Sequence, residues 1–280
     1  MRTNSILTCL REDNTVSEIK LLLSADVEKK RVVLLLEGED DVKLFKFLVK
    51  SNVTLIKAYG ASSSIDSLIP QYFSNTPRVI AVRDRDYQRV KRHDKIFYCD
   101  YSCAEMMMVS DDETFDKLST NHYRGKLEPA ALRLRVFESL YYISVIRKCS
   151  ALGKWGVKVS ETDLSAVVSP RRTADSAEAV EFVNRYNRHN PIDGLRAAHI
   201  AQFTDTYDLR EYLYLTNGHD FVEAFCVYCT ESASNNVKKR LNEKVISAAL
   251  RLSYSRASFK KTKLYKALKS YAAAHNLILV

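Results

Sequence analysis

The chain has 280 residues, 46% of them hydrophobic, with only seven glycines and five prolines, which suits a folded protein of one large or two modest domains. No apolar run approaches the roughly 20 residues needed to span a bilayer, residues 1–17 do not read as a secretory leader, and six scattered cysteines suit a reducing compartment. The expected setting is cytoplasmic with no membrane contact, and the net charge of +9 points to a polyanion partner.

In chain order, a polar start is followed by a short apolar patch (Ile19, Leu21, Leu22, Leu23) that flanks the first strand. Residues 32–36 (VVLLL) form an unbroken apolar run, β-branched at its start, which predicts a strand buried on both faces. It runs straight into Glu37-Gly38-Glu39-Asp40-Asp41. The glycine allows a tight turn, and Asp40 is expected to cap a helix over 41–50. Residues 53–57 predict a second strand and 62–73 an amphipathic helix that Pro70 kinks or shortens. A third strand over 78–82 ends in Arg83-Asp84-Arg85-Asp86, and 96–99 is a short fourth strand. This alternation predicts an α/β fold with a mostly parallel sheet flanked by helices.

Glu37 thus falls at the carboxyl end of a buried parallel strand, where open α/β sheets place their ligands. Asp84 and Asp86 are two residues apart, so an extended backbone would point both carboxylates to one side. Three such carboxylates repel one another unless a cation sits among them, and an oxygen-only set suits Mg²⁺ or Mn²⁺ better than zinc. The alternative is a solvated Asp-rich turn neutralised by its own arginines. Glu105 is the one acid in the apolar stretch 102–109, placed there either to face the same crevice or to serve as a cap or surface group. The methionines beside it read as core filler.

The second half predicts helices: a long one over 129–152, then 177–186, 207–215, 220–229, 237–252 and 259–274. The domain division is expected within 113–128, giving a first domain over 1–120 and a helical second domain over 121–280. Cys226-Val227-Tyr228-Cys229 has C-x-x-C spacing, but no second ligand pair accompanies it, so buried structural cysteines are expected. His219 reads as part of a capping turn. No phosphate-binding glycine loop and no nucleophile elbow are present.

All of the excess positive charge lies in the last fifty residues, which hold eleven Lys or Arg against Glu231 and Glu243. Arg251, Arg256, Lys260, Lys261, Lys263, Lys266 and Lys269, with Tyr254, Phe259 and Tyr265 interleaved, form a candidate nucleic-acid-binding segment in which the aromatics stack unpaired bases. The same face could instead keep the chain soluble or dock an acidic partner.

Taken together, strand-Glu37-Gly38, Asp41 and strand-Asp84-x-Asp86 resemble the TOPRIM domain of topoisomerases, primases and OLD-family nucleases, over about residues 30–110. More weakly, the whole chain resembles the AriB-like nuclease subunits that work beside an OLD-like (AriA-like) ABC ATPase in PARIS-type anti-phage defence. The resemblance implies a Rossmann-like TOPRIM fold and a toxic, metal-dependent phosphodiester endonuclease. It implies catalytic roles for Glu37, Asp41, Asp84, Asp86 and Glu105. Glu37, Asp84, Asp86 and Glu105 would hold Mg²⁺ or Mn²⁺, with two ions expected. It further implies cleavage of host tRNA in the anticodon loop after release from the ATPase, a phage trigger protein acting through that complex, and a homodimer once released. DNA cleavage of the OLD type and a non-catalytic sensor or scaffold remain the alternatives.

Overall fold

The computed structural model describes residues 3–59, 61–87, 93–159, 163–204, 207–234 and 240–280. The chain forms two compact units, one comprising everything up to Ala104 together with Arg256–Val280, the other Glu105–Ser255.

The first unit is built on a four-stranded, all-parallel sheet of β1 (Val32–Leu36), β2 (Val53–Lys57), β3 (Val79–Arg83) and β4 (Ile96–Tyr98), in the spatial order β2-β1-β3-β4. Every residue of β1 and β3 is buried, as their uninterrupted apolar runs require in a sheet covered on both faces. Val33, Leu35, Val79, Ala81 and Ile96 meet Ile65, Leu68 and Ile69 of α3 (Ala61–Tyr72) and Phe73 just after it, with Val16 and Ile19 of α1 (Thr3–Ser24). α2 (Glu39–Leu48), α13 (Arg256–Lys261) and α14 (Lys263–Ala274) complete the unit. α2 packs on β1, β2 and α13, and α14 packs on β4, with Phe45 edge-on to Phe259 and Phe97 edge-on to Tyr271. The α/β expectation is met.

Several local expectations change. Gly38, not Asp40, is the N-cap of α2, because the Asp41 carboxylate reaches back to accept the Gly38 N–H at 3.0 Å. Pro70 lies inside α3 without shortening it. The last 25 residues belong with the sheet rather than with a helical second domain, and the first unit ends at Ala104 instead of 120. Local anchors explain the return of the chain: Lys50 N–H donates to Leu279 O (3.0 Å), Asn52 Nδ2 to Ile278 O (2.9 Å), and Tyr271 Oη to Pro77 O (3.0 Å).

The second unit contains α5 (Asp112–His122), α6 (Pro129–Ser139), α7 (Tyr141–Gly153), α8 (Ser176–Tyr186), α9 (Gly194–Ala201), α10 (Leu209–Leu215), α11 (Gly218–Ser232) and α12 (Glu243–Ser253). The short α4 (Ala104–Val109) runs into it from the first unit. The helix expected over 129–152 is two helices meeting at Leu140. Residues 237–239, at the start of another expected helix, lie outside the described residues. Asn217 caps α11 through its side-chain oxygen, so the Asn217-Gly218-His219 turn is a helix start, as expected for His219. Met106, Met107 and Met108 are core residues. Among the described residues no helix is long and apolar enough to cross a membrane.

Candidate functional site

The strand order places a topological switch point between β1 and β3: the chain leaves β1 towards β2 on one side and returns to β3 on the other. Crevices at such points, beyond the carboxyl ends of the strands, are where open α/β sheets bind ligands. Glu37 and Asp84 are the residues that immediately follow these two neighbouring strands. The Asp84 N–H donates to Glu37 Oε1 at 3.2 Å, and the Asp84 carboxylate accepts the Ala104 N–H at 3.1 Å.

Asp86 reaches the same edge by a different route from the expected one. The strand stops at Arg83, and Asp86 sits at φ +48°, in the left-handed region that aspartate tolerates better than most residues. Its N–H donates to Ser102 O at 2.9 Å. A turn, rather than strand alternation, therefore presents its carboxylate. Tyr101 at the same edge is also left-handed, with φ +64°. Two adjacent loops thus hold backbone conformations of the kind that costs about 1–3 kcal/mol each and persists where surrounding structure enforces it.

Arg83 is the centre of the cluster. Its side chain is 1% exposed, and it makes ion pairs with Asp66 on α3 (2.7 Å), Glu37 (3.2 Å) and, more loosely, Asp86 (3.6 Å). A guanidinium from within the chain thus supplies positive charge to two of the three expected acids, Glu37 and Asp86, as the alternative of an Asp-rich turn neutralised by its own arginines would have it. Burial raises the Glu37 carboxyl from its ordinary 4.5 to about 7; Arg83 opposes this shift, while Asp86 and Asp41 add to it. Partial desolvation also raises Asp86, again against Arg83, although half of its side chain meets solvent.

Of the sequence-predicted acids, Glu37, Asp41, Asp84 and Asp86 share the first unit. Asp41 is committed to the α2 capping interaction, so it shapes the Glu37-Gly38 turn. Glu105 is half-buried and belongs to the second unit. Sequence reasoning passed over Asp66 and treated Arg83 only as a neutralising neighbour. The available signal for Arg83 was a charged residue closing a fully apolar strand, which must find partners once buried. Asp66 carried no such signal, because on its helix it reads as an ordinary polar position.

The acids fit a hard divalent cation in kind: all donors are oxygens, and Glu37 is held in a partly dehydrated, acid-rich setting that favours positive charge. Among the described residues, however, no three His, Cys, Asp or Glu side chains already converge as a metal site.

The basic segment divides between the units. Arg251 lies on α12 in the second unit and donates to Ser247 Oγ at 2.7 Å. Arg256 donates from Nε to Phe47 O (2.5 Å) and from Nη2 to Val49 O (3.4 Å), closing the end of α2. Lys260, Lys261, Lys263, Lys266 and Lys269 are exposed. Tyr254 and Phe259 are buried, so the expected base-stacking role is overturned for both; they are core residues.

In the second unit, Cys226 and Cys229 are free and buried, and burial raises both thiols, in keeping with a structural role. A cavity of about 340 Å³ there is lined by Asp163, Glu223, Cys226, Glu231 and Glu243. Burial raises Glu223 to about 7, and its carboxylate accepts the Leu164 N–H. A scan against protein-family models gives no match to the chain, and a search of curated proteins gives none either.

Proposed function

We propose that the chain is a divalent-metal-dependent phosphodiester nuclease whose site is Glu37, Asp84 and Asp86. The observation that carries the reading is the delivery of Glu37 and Asp84 to the ends of adjacent buried strands at the switch point, hydrogen-bonded to one another, with Asp86 beside them. Glu37, Asp84 and Asp86 would hold the metal; when bound it would supply positive charge to the phosphate and acidify a water.

The chain's own residues prepare this site. Arg83, anchored on Asp66, keeps Glu37 and Asp86 close despite their mutual repulsion. The Asp41–Gly38 bond fixes the turn that presents Glu37, and the Ala104 N–H orients Asp84. Glu105, in the second unit, is left as a contributor proposed from the family resemblance alone.

The same resemblance extends the proposal to tRNA as substrate, to an OLD-like ABC ATPase that restrains the nuclease, to a phage trigger acting on that complex, and to a released homodimer. A second reading, a non-catalytic scaffold, is favoured by one observation: Arg83 pairs with Glu37 and Asp66, and more loosely with Asp86, from within the chain.

The deciding experiment incubates the purified chain and Glu37→Ala with total tRNA and with plasmid DNA, in Mg²⁺, Mn²⁺ or EDTA. Metal-dependent tRNA fragments absent from the variant are expected. Plasmid cutting alone would keep the site and replace the substrate, and no cutting of either would favour the scaffold.

A further inference from the structure

We propose that Arg85, Lys260, Lys261 and Lys263 form a phosphate-binding rim on the carboxyl edge of the sheet, over which a nucleic-acid backbone reaches Glu37 and Asp84. This inference rests on the nuclease reading and names how its substrate is held.

The placement follows from the anchoring of α14. Tyr98, the last residue of β4, pairs in register with Arg83, the last of β3, and Cys99 N–H donates to Arg83 O at 3.0 Å. One residue later the Asp100 carboxylate accepts the N–H groups of Lys263 and Leu264, each at 2.8 Å. The start of α14 is thus tied to the edge that carries the acids. Its far end is tied to the opposite edge, where Tyr271 Oη donates to Pro77 O, just ahead of β3. α14 therefore crosses the sheet from carboxyl to amino edge. At about 1.5 Å per residue, Lys266 lies roughly 4.5 Å and Lys269 roughly 9 Å back from Lys263 along the axis. Lys260 and Lys261 end α13, immediately before this anchored start.

Arg85 links the lysines to the acids. It stands between Asp84 and Asp86, half-buried, with its guanidinium 5.7 Å from the centre of the Tyr98 ring. Its Nε is buried and has no hydrogen-bond partner among the described residues. A cluster of carboxylates repels a phosphodiester, so a site that admits one gains from fixed positive charge alongside. Lysines act on phosphate as point charges and carry no base information, so the ligand class is a nucleic-acid backbone irrespective of sequence. The rim thus takes three of the seven basic residues marked in the sequence and adds Arg85. Arg251 lies in the other unit, and Arg256 is spent on the end of α2.

The test is fluorescence anisotropy of a labelled oligouridylate with the full chain in EDTA, over a salt series. The variant with Lys260→Glu, Lys261→Glu and Lys263→Glu is expected to bind at least about ten-fold more weakly, with a log–log salt slope reduced by about 2. Arg85→Gln is expected to weaken binding about five-fold, and Lys269→Glu less than about two-fold. Unchanged binding by the triple variant, a Lys269→Glu loss as large as that of the whole rim, or no binding by the wild type would overturn the rim. Because EDTA removes any metal-dependent cleavage, rim-dependent binding by a chain that never cuts in Mg²⁺ or Mn²⁺ would keep the rim and reject the nuclease. Cutting with rim-independent binding would do the reverse.

Discussion

Replacing Arg83 by methionine tests the physical core of the site. The guanidinium is 1% exposed, and its two close partners, Glu37 and Asp66, each expose 15% of their side chains. Methionine keeps much of the apolar volume and removes the charge, leaving two largely buried carboxylates and the nearby Asp86 without their cation. Breaking a buried ion pair by removing one partner costs about 3–5 kcal/mol, because the remaining charge stays desolvated. The loss is expected to be largest near pH 8 and to shrink at pH 5. Glu37 is already raised to about 7 with Arg83 opposing the shift, so without Arg83 it protonates more readily still. The only tryptophan, Trp155, lies in the second unit and would not report this change. Amide hydrogen exchange of β1 and β3, corrected for intrinsic rates, reads it directly. At pH 8 the slowest amides should exchange about two to three and a half orders of magnitude faster in the variant. An equal loss at pH 5 and pH 8 would assign the effect to packing and refute the electrostatic account.

The Glu37 carboxyl binds its proton more tightly in the folded state, so its contribution to stability is complete below about 4.5 and is lost as pH rises through about 7. The shift corresponds to about 3 kcal/mol at most, and Glu37→Gln should remove that slope from β1 and β3 exchange while leaving the strands protected; an unchanged pH profile would refute the assignment. In the second unit, Arg147 holds the buried Asp220 with two bonds of 2.8 and 2.6 Å. Arg147→Met should therefore lower the unfolding free energy read by Trp155 fluorescence in urea by about 3–5 kcal/mol, and an unshifted midpoint would show that the pair contributes nothing.

The parts of the fold legible in the sequence were those set by burial alone. Residues 32–36 and 79–82 are apolar without interruption, and only a strand covered on both faces uses such a run in a sheet. Glu37 and Asp84 were legible as strand-end acids for the same reason, whereas the left-handed turn that brings Asp86 to the same edge was not. What the sequence hid was set by contacts between residues far apart in the chain. Nothing in a lysine-rich helix reveals that Asp100 will cap its first turn, so the return of residues 256–280 to the sheet was invisible. The bases expected to stack on Tyr254 and Phe259 illustrate the same limit: aromatic residues interleaved with lysines read equally well as a stacking platform or as the buried face of an amphipathic helix, and only packing separates the two.

Arg83 reconciles the two readings that the Asp84–Asp86 sequence left open. A turn neutralised by its own arginines and a metal-binding acid cluster looked like rivals, yet they answer the same electrostatic demand. Carboxylates gathered at a buried strand end need positive charge to stay gathered, and Arg83 meets that need with a side chain tethered to Asp66. A metal entering among Glu37, Asp84 and Asp86 would therefore meet a site already held together rather than one that must be assembled against repulsion. It would also compete with Arg83 for Glu37 Oε1, the atom on which the guanidinium and the Asp84 N–H converge. That shared oxygen is the point at which a structural cluster and a catalytic one become distinguishable. Glu37→Ala would remove both Arg83's partner and a proposed metal donor, whereas Arg83→Met would remove the resident cation that holds the cluster and leave the proposed donors Glu37, Asp84 and Asp86 in the chain.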